Sequence, residues 1–146
     1  MKISVIEGSN YFRGLLLLIS IDHKISEPEI VLMKRIGKTL GFEKDFCNQA
    51  IHEILENKFI LKEPPKFSTG ELAKKFIKDG LFLASSDNEN HPNEEIWLES
   101  IAVKNDIDMD WFLQEKKNAA SRKGIPEEHL EIDDLIVEDP KVNAFP

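Results

Sequence analysis

Residues 12–46 read FRGLLLLISIDHKISEPEIVLMKRIGKTLGFEKDF, and residues 77–111 read IKDGLFLASSDNENHPNEEIWLESIAVKNDIDMDW. Laid over one another without a gap, at an offset of 65 positions, they keep one apolar pattern. Phe12 falls on Ile77, Leu16 on Leu81, Leu18 on Leu83, Met33 on Leu98, Ile36 on Ile101 and Phe46 on Trp111. Acidic positions coincide too: Asp22 with Asp87, Glu29 with Glu94, and Asp45 with Asp110. A fixed internal period reports architecture ahead of any propensity. Two copies point to a compact pseudo-symmetric domain rather than a solenoid.

Within each copy the apolar spacing is helical. Phe12, Leu15, Leu16, Leu18 and Ile19 cover a wide arc of a helix from Ser9 or Asn10 to Ile21, as in a largely buried element. Its counterpart runs from Ser68 to about Ser85, where Ser68 and Glu71 have the spacing of a capping box. The same S-x-x-E recurs at Ser26 and Glu29, with Pro28 in the first turn, and opens a helix over about Glu27–Leu40 that Gly41 terminates. Its counterpart starts near His91, stops near Asn105, and turns Ile96, Trp97 and Ile101 inward. Third helices follow over about Lys44–Lys58 and Met109–Ala120. Between the copies, Pro64-Pro65 forbids helix and favours an extended connection.

The expected fold is therefore an all-α compact bundle of about six to seven helices with an internal duplication. Residues 1–124 form its single domain, with copies at about 9–58 and 68–120. Residues 125–146 carry seven acids against one lysine and read as an acidic tail that packs along the body or stays loose until a partner orders it. Lys2–Ile6 alternates like a short strand and has Leu135–Val137 as a candidate pairing partner.

The chain has 146 residues, one-domain size, and a formal charge of −8. Phosphate neutralisation needs a basic face, so nucleic acid is excluded as the main partner. The one cysteine, Cys47, makes no internal disulfide and no zinc spacing, and this fits a reducing, cytoplasmic compartment. The apolar run Leu15–Ile21 is far short of the roughly 20 residues that span a bilayer. We expect no signal peptide, and membrane contact that is peripheral at most.

Candidate chemistry sits in the two loops. Asp22 is followed seven residues later by Glu29, and Asp87 by Glu94. Oxygen ligands at a helix-loop-helix corner suit a hard divalent cation. The second loop is not a calcium hand: its sixth position is Pro92 rather than glycine, and its twelfth is Leu98 rather than glutamate. The same acids also suit the plainer role of capping turns and helix starts. His52 and Glu56, four apart, are too few for a transition-metal site. Trp97 and Trp111 occupy repeat-core positions matched by Leu32 and Phe46 and read as core, as does Cys47.

The stretches Leu16–Asp22, Ser26-Glu27-Pro28-Glu29 and Leu40-Gly41-Phe42 resemble the TerB-like tellurite-resistance domain, as do Leu83–Asp87 and Asn93-Glu94-Glu95 in the second copy. The resemblance covers about residues 9–118. It implies a duplicated all-helical fold, a bacterial stress-response protein, and a divalent-metal site at Asp22, Glu29, Asp87 and Glu94. The family places Asp-Gly at the loop start, whereas this chain has Asp22-His23 and Asp87-Asn88. With no catalytic constellation in view, the expected role is a non-enzymatic binding or scaffold module with a protein partner or a second copy of the chain. The alternatives are a metal-dependent enzyme with its site between the loops, and an adaptor acting through the acidic tail.

Overall fold

The computed structural model describes residues 1–21, 25–56, 63–84, 92–121 and 130–137. Strand β1 (Lys2–Ile3) is followed by helices α1 (Val5–Ile19), α2 (Glu27–Thr39), α3 (Lys44–Glu56), α4 (Gly70–Ala84), α5 (Pro92–Lys104) and α6 (Met109–Ser121). A single 3₁₀ turn, Glu131–Asp134, and strand β2 (Ile136–Val137) complete the chain order. Helix dominates, as the apolar spacing predicts. Among the described residues no helix is long and apolar enough to cross a membrane. Each helix of the second trio begins and ends 65 positions after its counterpart in the first.

The turns recur along with the helices. After α2 the Phe42 N–H donates to the Gly37 carbonyl (2.9 Å) and the Gly41 N–H to Lys38 (3.0 Å). After α5 the Ile107 N–H donates to Ala102 (2.8 Å) and the Asp106 N–H to Val103 (3.2 Å). Both are Schellman closures, which need a left-handed residue just past the helix. Gly41 supplies it at φ +83°, and Asp106 is forced into it at φ +56°. Phe42 and Ile107 are thereby folded back onto the core.

Helix starts differ from the sequence expectation where a nearer cap exists. α1 begins at Val5, ahead of Ser9, because the Ser4 hydroxyl accepts from the Glu7 N–H (3.1 Å). That helix absorbs Ile6, so the expected strand shrinks to Lys2–Ile3. α4 begins at Gly70 because Thr69 Oγ1 accepts from the Leu72 N–H (3.2 Å), and the Ser68 N–H reaches across to Glu7 Oε2 (3.5 Å). Ser4 and Thr69 are themselves 65 positions apart.

α1 and α4 cross at the centre of the core. Tyr11 and Phe76 meet edge to face there, ring centroids 5.2 Å apart. A Cβ on Gly14 would stand 2.7 Å from the Phe76 ring, so only glycine permits this approach. The contacts are reciprocal: residue 11 meets residue 79, and residue 76 meets residue 14, the pattern of a two-fold relation. Around the crossing Phe12, Leu15, Leu18, Met33, Ile36, Ile77, Leu98, Ile101 and Phe112 are buried.

The helix faces carry several corrections. Ile96, expected inward, is 63% exposed, and Phe46 is 51% exposed, while Trp97 and Trp111 are only half-buried at the margin of the core. α5 has apolar residues on most sides, so spacing alone leaves its inward face open; packing selects Leu98, Ile101 and Ala102. Of residues 125–146, the described part, 130–137, packs on the body. Leu130, Ile132 and Leu135 are buried, each adding about 1.5–3 kcal/mol of apolar burial. β2 pairs with β1 in parallel, Lys2 opposite Ile136 and Ile3 opposite Val137.

Gly41 has open space around its Cβ direction, so substitution there tests backbone conformation alone. Gly41→Ala should lower stability by about 1 kcal/mol, and Asp106→Gly at the matching turn should not lower it. Urea midpoints of the two variants check both.

Candidate functional site

The loop acids divide between described and undescribed residues. Asp22 and Asp87, with His23 and His91, lie outside the described residues. Glu29 and Glu94 stand in the first turns of α2 and α5, where both are buried at 3% and 2% exposure. Glu29 Oε1 accepts from the Ser26 N–H and from the Ser26 hydroxyl, both at 2.9 Å, and Ser26 Oγ accepts from the Glu29 N–H at 3.3 Å. This is the full capping box the sequence predicts, drawn into the protein interior. Among the described residues no three His, Cys, Asp or Glu side chains converge on one point. His52 and Glu56 form an exposed pair, 3.2 Å apart.

A third buried acid is absent from the sequence-based set. Asp79, 2% exposed, lies on α4 beneath the C-terminal segment. Its Oδ2 accepts from the Tyr11 hydroxyl (2.7 Å) and the Ile132 N–H (3.0 Å), and its Oδ1 from the Glu131 N–H (2.8 Å). Burial pushes its pKa up to about 7, against the lowering effect of those three hydrogen bonds. Burial, and then the neighbouring Asp79 carboxylate, push Tyr11 well above the usual phenol range. The visible signal was a lone acid on an apolar stripe: Asp79 follows Leu72 and Phe76 and precedes Leu83 at helical spacing.

Two concave places flank α1. A cleft of about 370 Å³ has Gly14 and Leu17 at its floor, Pro64 and Pro65 as a wall, and Arg13 and Lys66 at its rim. Its wall is held by Asn105, whose Oδ1 accepts from the Phe67 N–H (2.8 Å) and whose Nδ2 donates to the Pro65 carbonyl (3.0 Å). Lys104 Nζ adds a bond to the Pro64 carbonyl (2.7 Å). On the other flank Phe12, Leu16, Phe46, Ala50 and Ile54, together with Ser9, Arg13 and Glu53, border a groove of about 440 Å³. Cys47 is buried, and burial raises its thiol pKa, so it reads as a packed side chain rather than a nucleophile.

No family model, no curated protein and no solved structure matches the chain. The chemistry of the site therefore rests on its own geometry: two buried glutamates at equivalent helix heads, and a buried aspartate that grips the C-terminal segment.

Glu29→Ala should cost about 1–2 kcal/mol, because it strands the Ser26 N–H beside a buried position. Glu29→Gln keeps an acceptor for that N–H and should stay within about 0.5 kcal/mol of wild type. Equal losses in both variants, measured by chemical denaturation, would show that charge rather than capping sets the stability here.

Proposed function

We propose that this chain is a duplicated, TerB-like helical module of a bacterial, cytoplasmic stress response of the tellurite-resistance type. It acts by binding rather than by catalysis, and Asp22, Glu29, Asp87 and Glu94 are the ligands it offers to a divalent cation. The observation that carries this reading is the equivalence of the two helix heads. Glu29 and Glu94 are 65 positions apart, occupy the same turn of helices with matching bounds, and are both buried. Burial of both acids at one repeated position supports a shared role for the two loops. The reciprocal contacts of α1 and α4 and the paired Schellman turns support duplication of the whole helix trio. With its ligands spread over two loops, the module suits sensing or scaffolding toward a protein partner.

Thermal unfolding of the chelator-treated full chain, titrated with calcium, magnesium, manganese and zinc, tests the reading. An ion at 100 times its dissociation constant stabilises by about 2.7 kcal/mol, a shift of several degrees in a domain of this size. One of the four ions should produce that shift in the wild type and not in an Asp22→Ala, Asp87→Ala double variant. No shift with any of them would overturn the metal assignment and leave the acids as caps.

A further inference from the structure

We propose that the cleft between α1 and residues 63–66 is a binding site for a small organic dianion, a phosphate monoester or a dicarboxylate, whose charge lies between Arg13 and Lys66. Under the 65-residue offset Asn10, Arg13 and Gly14 correspond to Lys75, Lys78 and Asp79. Pro65, Lys66 and Phe67 correspond to Leu130, Glu131 and Ile132. The two halves use these positions alike. Phe67 and Ile132 are both buried. Pro65 stands 3.2 Å from where a Cβ on Gly14 would lie, and the Glu131 and Ile132 N–H groups reach Asp79 at 2.8 and 3.0 Å. Each segment thus closes over the same point of its helix.

The halves differ in charge. On α4 Lys75 and Lys78 hold the two carboxylate oxygens of Glu131 at 3.4 and 3.5 Å. On the α1 side the position of Glu131 is taken by Lys66, which shares the cleft rim with Arg13, and the carboxylate is missing. Both cations are exposed, and among the described residues no ion pair or hydrogen bond engages either side chain. Glu63, the one acid among the described residues bordering the cleft, is engaged by Lys104 at 3.2 Å. Three cations therefore meet one acid here, in a chain of formal charge −8. The acidic group that the other half supplies from its own sequence is left to an external ligand.

Two like charges gathered at the mouth of a cleft favour a ligand with two negative charges over one with a single charge. Arg13 brings the planar fork that pairs two oxygens of a carboxylate or phosphate, and Lys66 adds a point charge. Leu17, Pro64 and Pro65 offer apolar surface to the rest of the ligand. At about 370 Å³ the cleft lies at the small end of ligand pockets, which suits a small molecule rather than a folded partner. Its wall is already built: Lys104 and Asn105 donate to the Pro64 and Pro65 carbonyls at 2.7 and 3.0 Å, so little ordering is left to be done on binding. The site rests on the correspondence of the halves and not on the cation assignment, since neither Glu29 nor Glu94 lines it.

Phenyl phosphate and phenylsuccinate, titrated separately into chelator-treated and desalted full chain and followed through amide chemical shifts, test the site. At least one should bind saturably with a dissociation constant of about 1 mM or below, moving the Gly14, Leu17 and Lys66 amides. The tighter of the two tells a phosphate ligand from a dicarboxylate. Arg13→Gln and Lys66→Gln should each weaken that binding about tenfold, while Lys34→Gln, an exposed lysine of α2 outside the cleft, should leave it unchanged. Neutral phenol should move none of the three amides. The absence of saturable shifts with both dianions, or equal weakening by all three substitutions, would overturn the site. Urea midpoints equal to wild type in the Arg13 and Lys66 variants show that the loss is one of contact and not of fold. No cation is present in this titration, so its failure and that of the metal assignment are read separately.

Discussion

The close crossing of α1 over α4 is the constraint on which the rest of the structure depends. Gly14 lets the Phe76 ring into the helix surface, and Tyr11 meets Phe76 edge to face beside it. Once these two helices are that near, their remaining faces are committed. α2 and α3 cover one side of α1, and α5 and α6 cover the matching side of α4. Interiors packed to crystal-like density transmit such a constraint, because a displaced ring has nowhere to go.

The same crossing explains why position 79 is an aspartate. Under the 65-residue offset Asp79 corresponds to Gly14, so each half spends this position differently. In the first half it is left bare to receive a ring. In the second it carries a carboxylate that takes up the Tyr11 hydroxyl and the backbone amides of Glu131 and Ile132. A buried phenol needs a hydrogen-bond partner, and two backbone N–H groups at the start of a 3₁₀ turn need acceptors. One carboxylate answers all three.

Three buried acids thus stand at three structural junctions. Glu29 heads α2 and Glu94 heads α5, and Asp79 joins α4 to the chain's last described segment. The net charge of −8 gives no hint of them, since most acids of a soluble protein are solvated. What separates these three is their position within an apolar stripe or at a helix head. That is a local property of the sequence whose cost becomes visible only once neighbours cover it.

Much of the helical layout was legible from residue order alone. Ser26-x-x-Glu29 marks the start of α2 and Gly41 marks its end, because caps and left-handed turns are decided within a few residues. The 65-residue offset, readable in the apolar pattern, reappears in all three helix pairs. Ser4 shows the limit: it has the same S-x-x-E spacing as Ser26, yet the strand-like alternation of Lys2–Ile6 reads more strongly until the cap is seen. Exposure of Ile96 and Phe46, the docking of Leu130, Ile132 and Leu135, and the burial of Asp79 were decided by the tertiary structure. Each depends on which of several faces finds a partner, as Asp79 finds Tyr11, Glu131 and Ile132 at 68, 52 and 53 positions along the chain, and no local pattern contains that choice.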